Sequence, residues 1–181
     1  LTLNPAGDLP VLEDDDFGVI SGARVISEWV EEVIEQARLM PRTPGERAEV
    51  RRLIDWFEIK FTQEVSGPLL RERVIKRFDK GQSASSEIMR AALSNAQTHL
   101  GYIDWLAAQN PWLAGPDMAL CDLAAAAHLS VLDYFGDVNW DKHTDAKMWY
   151  MKLKSRPSFR PLLADVLVGM PPASSYSALD F

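Results

Sequence analysis

The 181 residues are 47% apolar, include six tryptophans, and carry a formal net charge of −7 with a pI near 5.0. That is apolar mass for one medium domain or a domain and a half, and too much for a disordered chain. The acidic balance excludes nucleic acid as a partner, because phosphate neutralisation needs clustered Lys and Arg. No apolar run reaches the length that spans a bilayer, so direct membrane insertion is not expected. A single cysteine, Cys121, rules out an internal disulfide and fits a reducing cytoplasm. No basic region precedes an apolar segment, so no signal peptide is expected, and the opening Leu-Thr-Leu-Asn reads as the middle of something longer.

Asn4 to Asp8 is a turn cluster, and Leu9-Pro10-Val11-Leu12 reads as a short strand with Pro near its start. Asp14 to Asp16 form an acidic turn, and Phe17 to Ile20 a second strand; such a hairpin is marginal alone. Ser21 is the expected N-cap of a helix over Gly22–Ala37, with Ile26, Trp29, Val30, Val33 and Ala37 as its apolar stripe. Glu28, Glu31, Glu32 and Glu35 fall elsewhere and read as a solvated face. Thr43 followed by Pro44 is an N-cap with Pro at the first helical position. From there a long amphipathic helix runs to about Val65 on Val50, Leu53, Ile54, Phe57 and Phe61, with Trp56 alongside.

Ser66-Gly67-Pro68 is expected to interrupt that helix, and Leu69 to Phe78 to continue it or start another. Arg71, Arg73, Lys76, Arg77 and Lys80 concentrate charge there; a surface for an anion or an acidic partner is one reading and a solvated face the default. Ser85 and Ser86 precede a helix to Ala108, with Ile88, Ala92, Leu93, Ala96, Leu100, Ile103 and Leu106 inward. His99 and His128 lack metal-ligand spacing and read as core or groove histidines. Gly115-Pro116-Asp117 then opens the stretch around which the chain is organised. Leu120 to Leu132 has no Gly or Pro, and Ala124 to Ala127 make it small on nearly every side, as suits a buried central helix. Asp122 sits in its first turn, where the dipole favours an anion. A helix over Thr144–Lys154 and a last one capped by Ser158 and ending near Gly169 complete the order, which is that of an α+β unit joined to an all-α domain.

These residues together resemble the glutathione S-transferase family. Asn4-Pro5-Ala6-Gly7-Asp8-Leu9-Pro10-Val11-Leu12 matches its N-P-x-G-x-[VL]-P-V-L element, and Trp112 to Gly115 with Ala119 to Asp122 match the loop and buried helix of its second domain. The resemblance implies residues 1–40 as the remaining part of a thioredoxin-like domain whose first βαβ is missing, 41–169 as the all-helical C-terminal domain, and 170–181 as a tail. It implies a cis bond before Pro10, and makes Leu9 and Pro10 cofactor-binding residues only if glutathione binds. It also shows a departure. The acidic residue and Ser that hold the γ-glutamyl end of glutathione are replaced by Gly22-Ala23, and the Ser/Thr cap of the buried helix by Ala119. A charge-assisted hydrogen bond contributes ~1.5–3 kcal/mol, so the loss lowers affinity by roughly ten- to a hundredfold or more. No catalytic residue, resident cofactor or metal is assigned within the chain.

Lys154 to Leu163 matches the usual closing turn of the transferase family, and the Ala124–Ser130 and Asp133–Val138 stretches with the tail from Gly169 are similar to those of FtsZ-binding bacterial division proteins built on this scaffold. That resemblance implies a homodimer formed through the Gly22–Ala37 and Pro44–Val65 helices, without transferase action. It further implies a cytoplasmic location at the division site, binding to FtsZ filaments, promotion of constriction, and signalling to other division proteins through the tail. The tail has two prolines at 171 and 172 and no helical period, which suits a docking peptide with Tyr176, Leu179, Asp180 and Phe181 as its contacts. The alternative folds it back on the helices and buries Tyr176 and Phe181; the two are compatible. A glutathione-dependent transferase acting on a hydrophobic electrophile is the competing function. An oligomeric chaperone-like surface ranks last.

Overall fold

The computed structural model describes residues 2–34, 38–79, 81 and 83–179. They divide into two units, residues 1–41 and 42–181. In the first, β1 (Val11–Asp14) pairs antiparallel with β2 (Gly18–Ser21), Val11 opposite Ser21 and Asp14 opposite Gly18. The Asp14 carboxylate closes the turn by accepting the Asp16 and Phe17 N–H groups at 3.1 and 2.8 Å. α1 (Ala23–Val33) follows. Ser21 ends the strand instead of capping the helix; the capping position is Gly22 at φ +94, a backbone region that side chains rarely enter. Ile26, Trp29 and Val30 are half-buried, whereas Val33 is exposed. The expected stripe member Ala37, and Glu35, lie outside the described residues. Glu31 does more than face solvent: its carboxylate accepts the Leu39 and Met40 N–H groups at 2.6 and 3.1 Å and ties down the chain after the helix.

The second unit begins as the sequence implies. The Thr43 hydroxyl accepts the Glu46 N–H at 3.3 Å, Pro44 opens α2 (Pro44–Asp55), and Val50, Leu53 and Ile54 are buried. Gly67-Pro68, however, does not interrupt the helix. The winding widens to π-type turns over Trp56–Ser66, continues as α3 (Gly67–Leu70), widens again over Arg71–Ile75 and ends in α4 (Lys76–Phe78). Pro68 lacks an N–H and would crowd the carbonyl four residues back in an α-helix. A wide turn relieves that crowding, and here the Gly67 N–H reaches the Thr62 carbonyl, five residues earlier. A Cβ on Gly67 would lie 2.6 Å from that oxygen, so no larger residue fits without movement.

α5 (Ser86–Gln109) starts at the Ser85 hydroxyl, which accepts the Ile88 N–H at 3.3 Å. Its Ala92, Ala96, Leu100, Ile103 and Leu106 are buried as expected, while Ile88 is exposed. α6 (Leu120–Phe135) is the central helix, packed against α2, the 56–66 segment and α7 (Thr144–Lys154). Buried Ala125 and Ala126 let those neighbours approach closely. α8 (Arg160–Ala164) is shorter than expected, with Phe159 and not Ser158 at its cap.

Asp122 organises this unit. Its side chain is fully buried. One carboxylate oxygen accepts the Ala119 N–H at 2.9 Å; the other accepts the Leu113 N–H at 2.9 Å and Trp149 Nε1–H at 2.8 Å. Burial pushes this carboxyl above the usual range, and the donors pull against it. Replacing it leaves three buried donors unpaired. We expect Asp122→Ala to lower the unfolding free energy measured in urea by about 3–5 kcal/mol.

His99, which is buried, and His128, which is half-buried, are wired differently. His99 Nδ1 accepts Trp56 Nε1–H at 3.0 Å, which leaves the proton on Nε2, 3.0 Å from a Glu64 carboxylate oxygen. His128 Nδ1 lies 3.3 Å from the Ser66 hydroxyl. Burial holds both imidazoles below their usual pKa, with Glu64 opposing it at His99. A depressed histidine pKa favours the neutral form in the folded state, so its contribution is intact above the unfolded value of about 6.5 and is lost as pH falls below it. The melting temperature should therefore drop between about pH 7 and 5, and His128→Gln should flatten that slope.

Candidate functional site

Two arrangements collect the residues that the sequence singles out, one in each unit. In the first unit, the Leu9–Pro10 peptide is cis and Leu9 is 85% exposed. The Gly22 N–H donates to the Pro10 carbonyl at 3.0 Å, so the two elements that the transferase pattern uses for glutathione lie side by side. One supplies an open backbone edge. The other supplies a hydrogen atom at Gly22 and a methyl group at Ala23, where a hydrogen-bonding pair would be needed.

In the second unit the tail is fastened to the end of α6. The Ala173 N–H donates to the Tyr134 carbonyl at 2.8 Å. The Tyr134 hydroxyl accepts the Leu167 N–H at 2.8 Å and donates to the Met170 carbonyl at 2.6 Å, clamping both sides of a tight turn. Arg77 reaches the Gly169 carbonyl in the same turn at 3.5 Å. Below the tail lies a buried ion pair, Lys154 Nζ to Asp133 at 3.0 Å. Burial pulls both groups toward their neutral forms, and each opposes that pull on the other. Lys154 also donates to the Ser175 carbonyl at 3.5 Å and lies 5.5 and 5.8 Å from the Tyr150 and Tyr176 ring centroids.

Tyr176 is 2% exposed, its hydroxyl donates to the Leu162 carbonyl at 3.3 Å, and its phenol is pushed up to about 12, chiefly by burial. It fastens the tail from inside. Leu179 is 40% exposed. Asp180 and Phe181 lie outside the described residues, as does Lys80 of the basic run. The rest of that run is largely consumed within the unit: Arg73 forks onto Asp137, and Lys76 pairs at 2.8 Å with Glu72, which also accepts the Ser85 N–H at 2.6 Å. Cys121 is buried and its thiol pushed well up by that burial, so it is no thiolate nucleophile. Among the described residues no group of three metal-ligating side chains comes together, and no helix is long and apolar enough to cross a membrane.

Compared with known proteins, the chain matches no family model. It is 49% identical over 183 residues to FtsZ-localized protein A of Caulobacter vibrioides, covering 99% of this chain and 80% of that protein. The chain belongs to the FtsZ-localized protein A family. Among solved structures, FzlA from C. crescentus superposes with a TM-score of 0.93 at 48% identity, covering 99% of this chain and 81% of that one. A glutathione S-transferase from Rhodospirillum rubrum F11 superposes at 0.94 with 45% identity, over 99% of this chain and 81% of that one. The fold of the FtsZ-localized protein A family is thus a glutathione-transferase fold: the hairpin and α1 belong to its thioredoxin-like part, and α2 to α8 to its helical part.

The tail clamp escaped sequence reasoning. Tyr134 has no neighbour in sequence that betrays its role; its partners lie 33 and 36 residues away. Tyr134→Phe keeps the ring but leaves the Leu167 N–H without its acceptor. We expect a loss of about 1–3 kcal/mol in stability, with faster hydrogen exchange concentrated at Leu167, Met170 and Ala173.

Proposed function

We propose that this chain is an adaptor without transferase activity that associates with FtsZ filaments at the division site, on the cytoplasmic side, and promotes constriction. In this reading the segment 1–40 keeps the transferase framework without its ligand contacts. Residues 41–169 form the helical body, and 170–181 dock other division proteins through Leu179, Asp180 and Phe181, with Tyr176 holding the tail in place. A homodimer through the α1 and α2 faces completes it. The observation that carries the reading is the 49% identity, over nearly the whole chain, to a protein named for its localisation with FtsZ. Gly22-Ala23 supports it, because the positions that would hold the γ-glutamyl group offer no side-chain hydrogen bond.

The protein should co-sediment with GTP-assembled FtsZ filaments, and truncation after Ala178 should leave that binding intact while abolishing capture of the other division proteins. Absence of the chain from the filament pellet would sink the adaptor reading.

A glutathione-dependent transferase is the second reading, favoured by the contact between Pro10 and Gly22 and by the name of the R. rubrum structure. Calorimetry at millimolar glutathione separates the two, and we expect no measurable heat. Ala23→Ser is the comparison variant, since Gly22 at φ +94 would strain any side chain placed there. Micromolar affinity in the unmodified protein would make the transferase reading the stronger one.

A further inference from the structure

The tight turn clamped by Tyr134 carries its apolar side chains outward. Val166 is 64% and Val168 89% exposed, yet Leu167 N–H and Met170 C=O are both fixed by one tyrosine hydroxyl, and Arg77 holds Gly169. Apolar side chains held out on a pinned turn incur no further ordering cost when a partner covers them. Behind the turn lies a cavity of about 380 Å³, a volume in the range of ligand and anchor pockets. Leu70, Val131 and Phe135 supply apolar wall.

The polar groups of that wall narrow the occupant. Three hydroxyls line it, and each is already engaged: Ser130 with the Ala127 carbonyl, Tyr134 in the clamp, and Tyr176 with the Leu162 carbonyl. Asp165 remains. Its carboxylate stands at the exposed rim, and its side chain has no hydrogen bond or ion pair among the described residues. The cavity therefore offers an apolar interior and one uncommitted negative charge.

Resting on the adaptor reading, we infer that the Asp165–Val168 segment and the cavity behind it dock a short basic segment of a protein partner, whose apolar side chain enters the cavity while a neighbouring Arg or Lys meets Asp165. Two features favour a peptide over a free small molecule. The apolar surface continues from Val166, which lines the cavity, onto Val168 beyond it, farther than a pocket-sized ligand would cover. The charge stands at the rim, where it selects the partner's sign more than it adds affinity.

The probe is a capped six-residue peptide with two arginines flanking one phenylalanine, titrated into the isotope-labelled protein and followed by amide chemical shifts. Shifts should cluster at residues 130–135 and 165–170. Asp165→Asn should weaken binding roughly two- to fivefold, and Val168→Asp by roughly tenfold or more. Asp117→Asn, an exposed carboxylate elsewhere, should change nothing. The inference is overturned if the peptide fails to bind, if glutamates in place of its arginines bind as well, or if its shifts spread over the acidic surface. It is equally overturned if phenethylammonium alone gives the same shifts and affinity, or if the Asp165 and Val168 variants keep the original affinity. Filament co-sedimentation of the unmodified protein tells the two readings apart. Its loss with peptide binding intact removes only the adaptor role, and the converse removes only this docking site.

Discussion

Asp122 is the constraint on which the helical unit depends. A carboxylate fully removed from water is tolerated only when its lone pairs are filled. Here the fillers come from the 113 loop, the start of α6 and the side chain of Trp149 on α7. The Ala119 N–H is an orphan donor of the helix N-terminus, and Leu113 N–H would be buried without an acceptor. One side chain thus satisfies three groups that no regular hydrogen-bond ladder could reach, and it fixes where α7 crosses α6. Ala119, with no side-chain oxygen, supplies only half of the usual reciprocal cap, so the placement of this helix rests more heavily on Asp122.

The other end of α6 repeats the device with a pair instead of a single charge. Asp133 and Lys154 are both buried, and the aromatic rings of Tyr150 and Tyr176 stand over the ammonium. A buried ion pair adds little net stability compared with an apolar pair of the same shape, but losing one partner is costly. Its consequence is specificity of arrangement. Ser175 and Tyr176 occupy the place where the ammonium needs an acceptor and a π face, so the tail crosses α7 at one position. The helix that starts on Asp122 therefore ends by deciding the path of the chain's last described residues.

Much of this was legible in sequence because it is local. Thr43-Pro44 caps the helix it was expected to cap, and the stripe from Val50 to Phe61 is buried throughout, since caps and periodicity are read within a few residues. What was not legible is non-local. Gly67-Pro68 looks like a breaker until the Thr62 carbonyl, five residues back, shows that the chain has widened its turn to admit both. The basic run from Arg71 has a solvated face as its default reading and an anion surface as the other, and neither shows the contacts within the unit, such as Asp137 holding Arg73. The tail was left between docking and folding back. Tyr176 folds back, Leu179 stays half open, and the clamp that separates those fates rests on a tyrosine with no motif around it.

The two units differ in what a substitution costs the fold. The contacts that hold the helical unit are buried and mutually dependent, so a change at Asp122 or Lys154 is felt as unfolding. The positions that the transferase resemblance assigns to a γ-glutamyl site are different in kind. Gly22 makes its structural contribution through its backbone, donating to Pro10 at a φ that suits glycine, and Ala23 is an exposed methyl in the first turn of α1. Exchanging ligand-binding side chains there removes affinity and costs the fold little, because no buried group is left unpaired. A scaffold of this kind keeps its architecture while its ligand contacts are free to change, which is why the fold alone never names the activity.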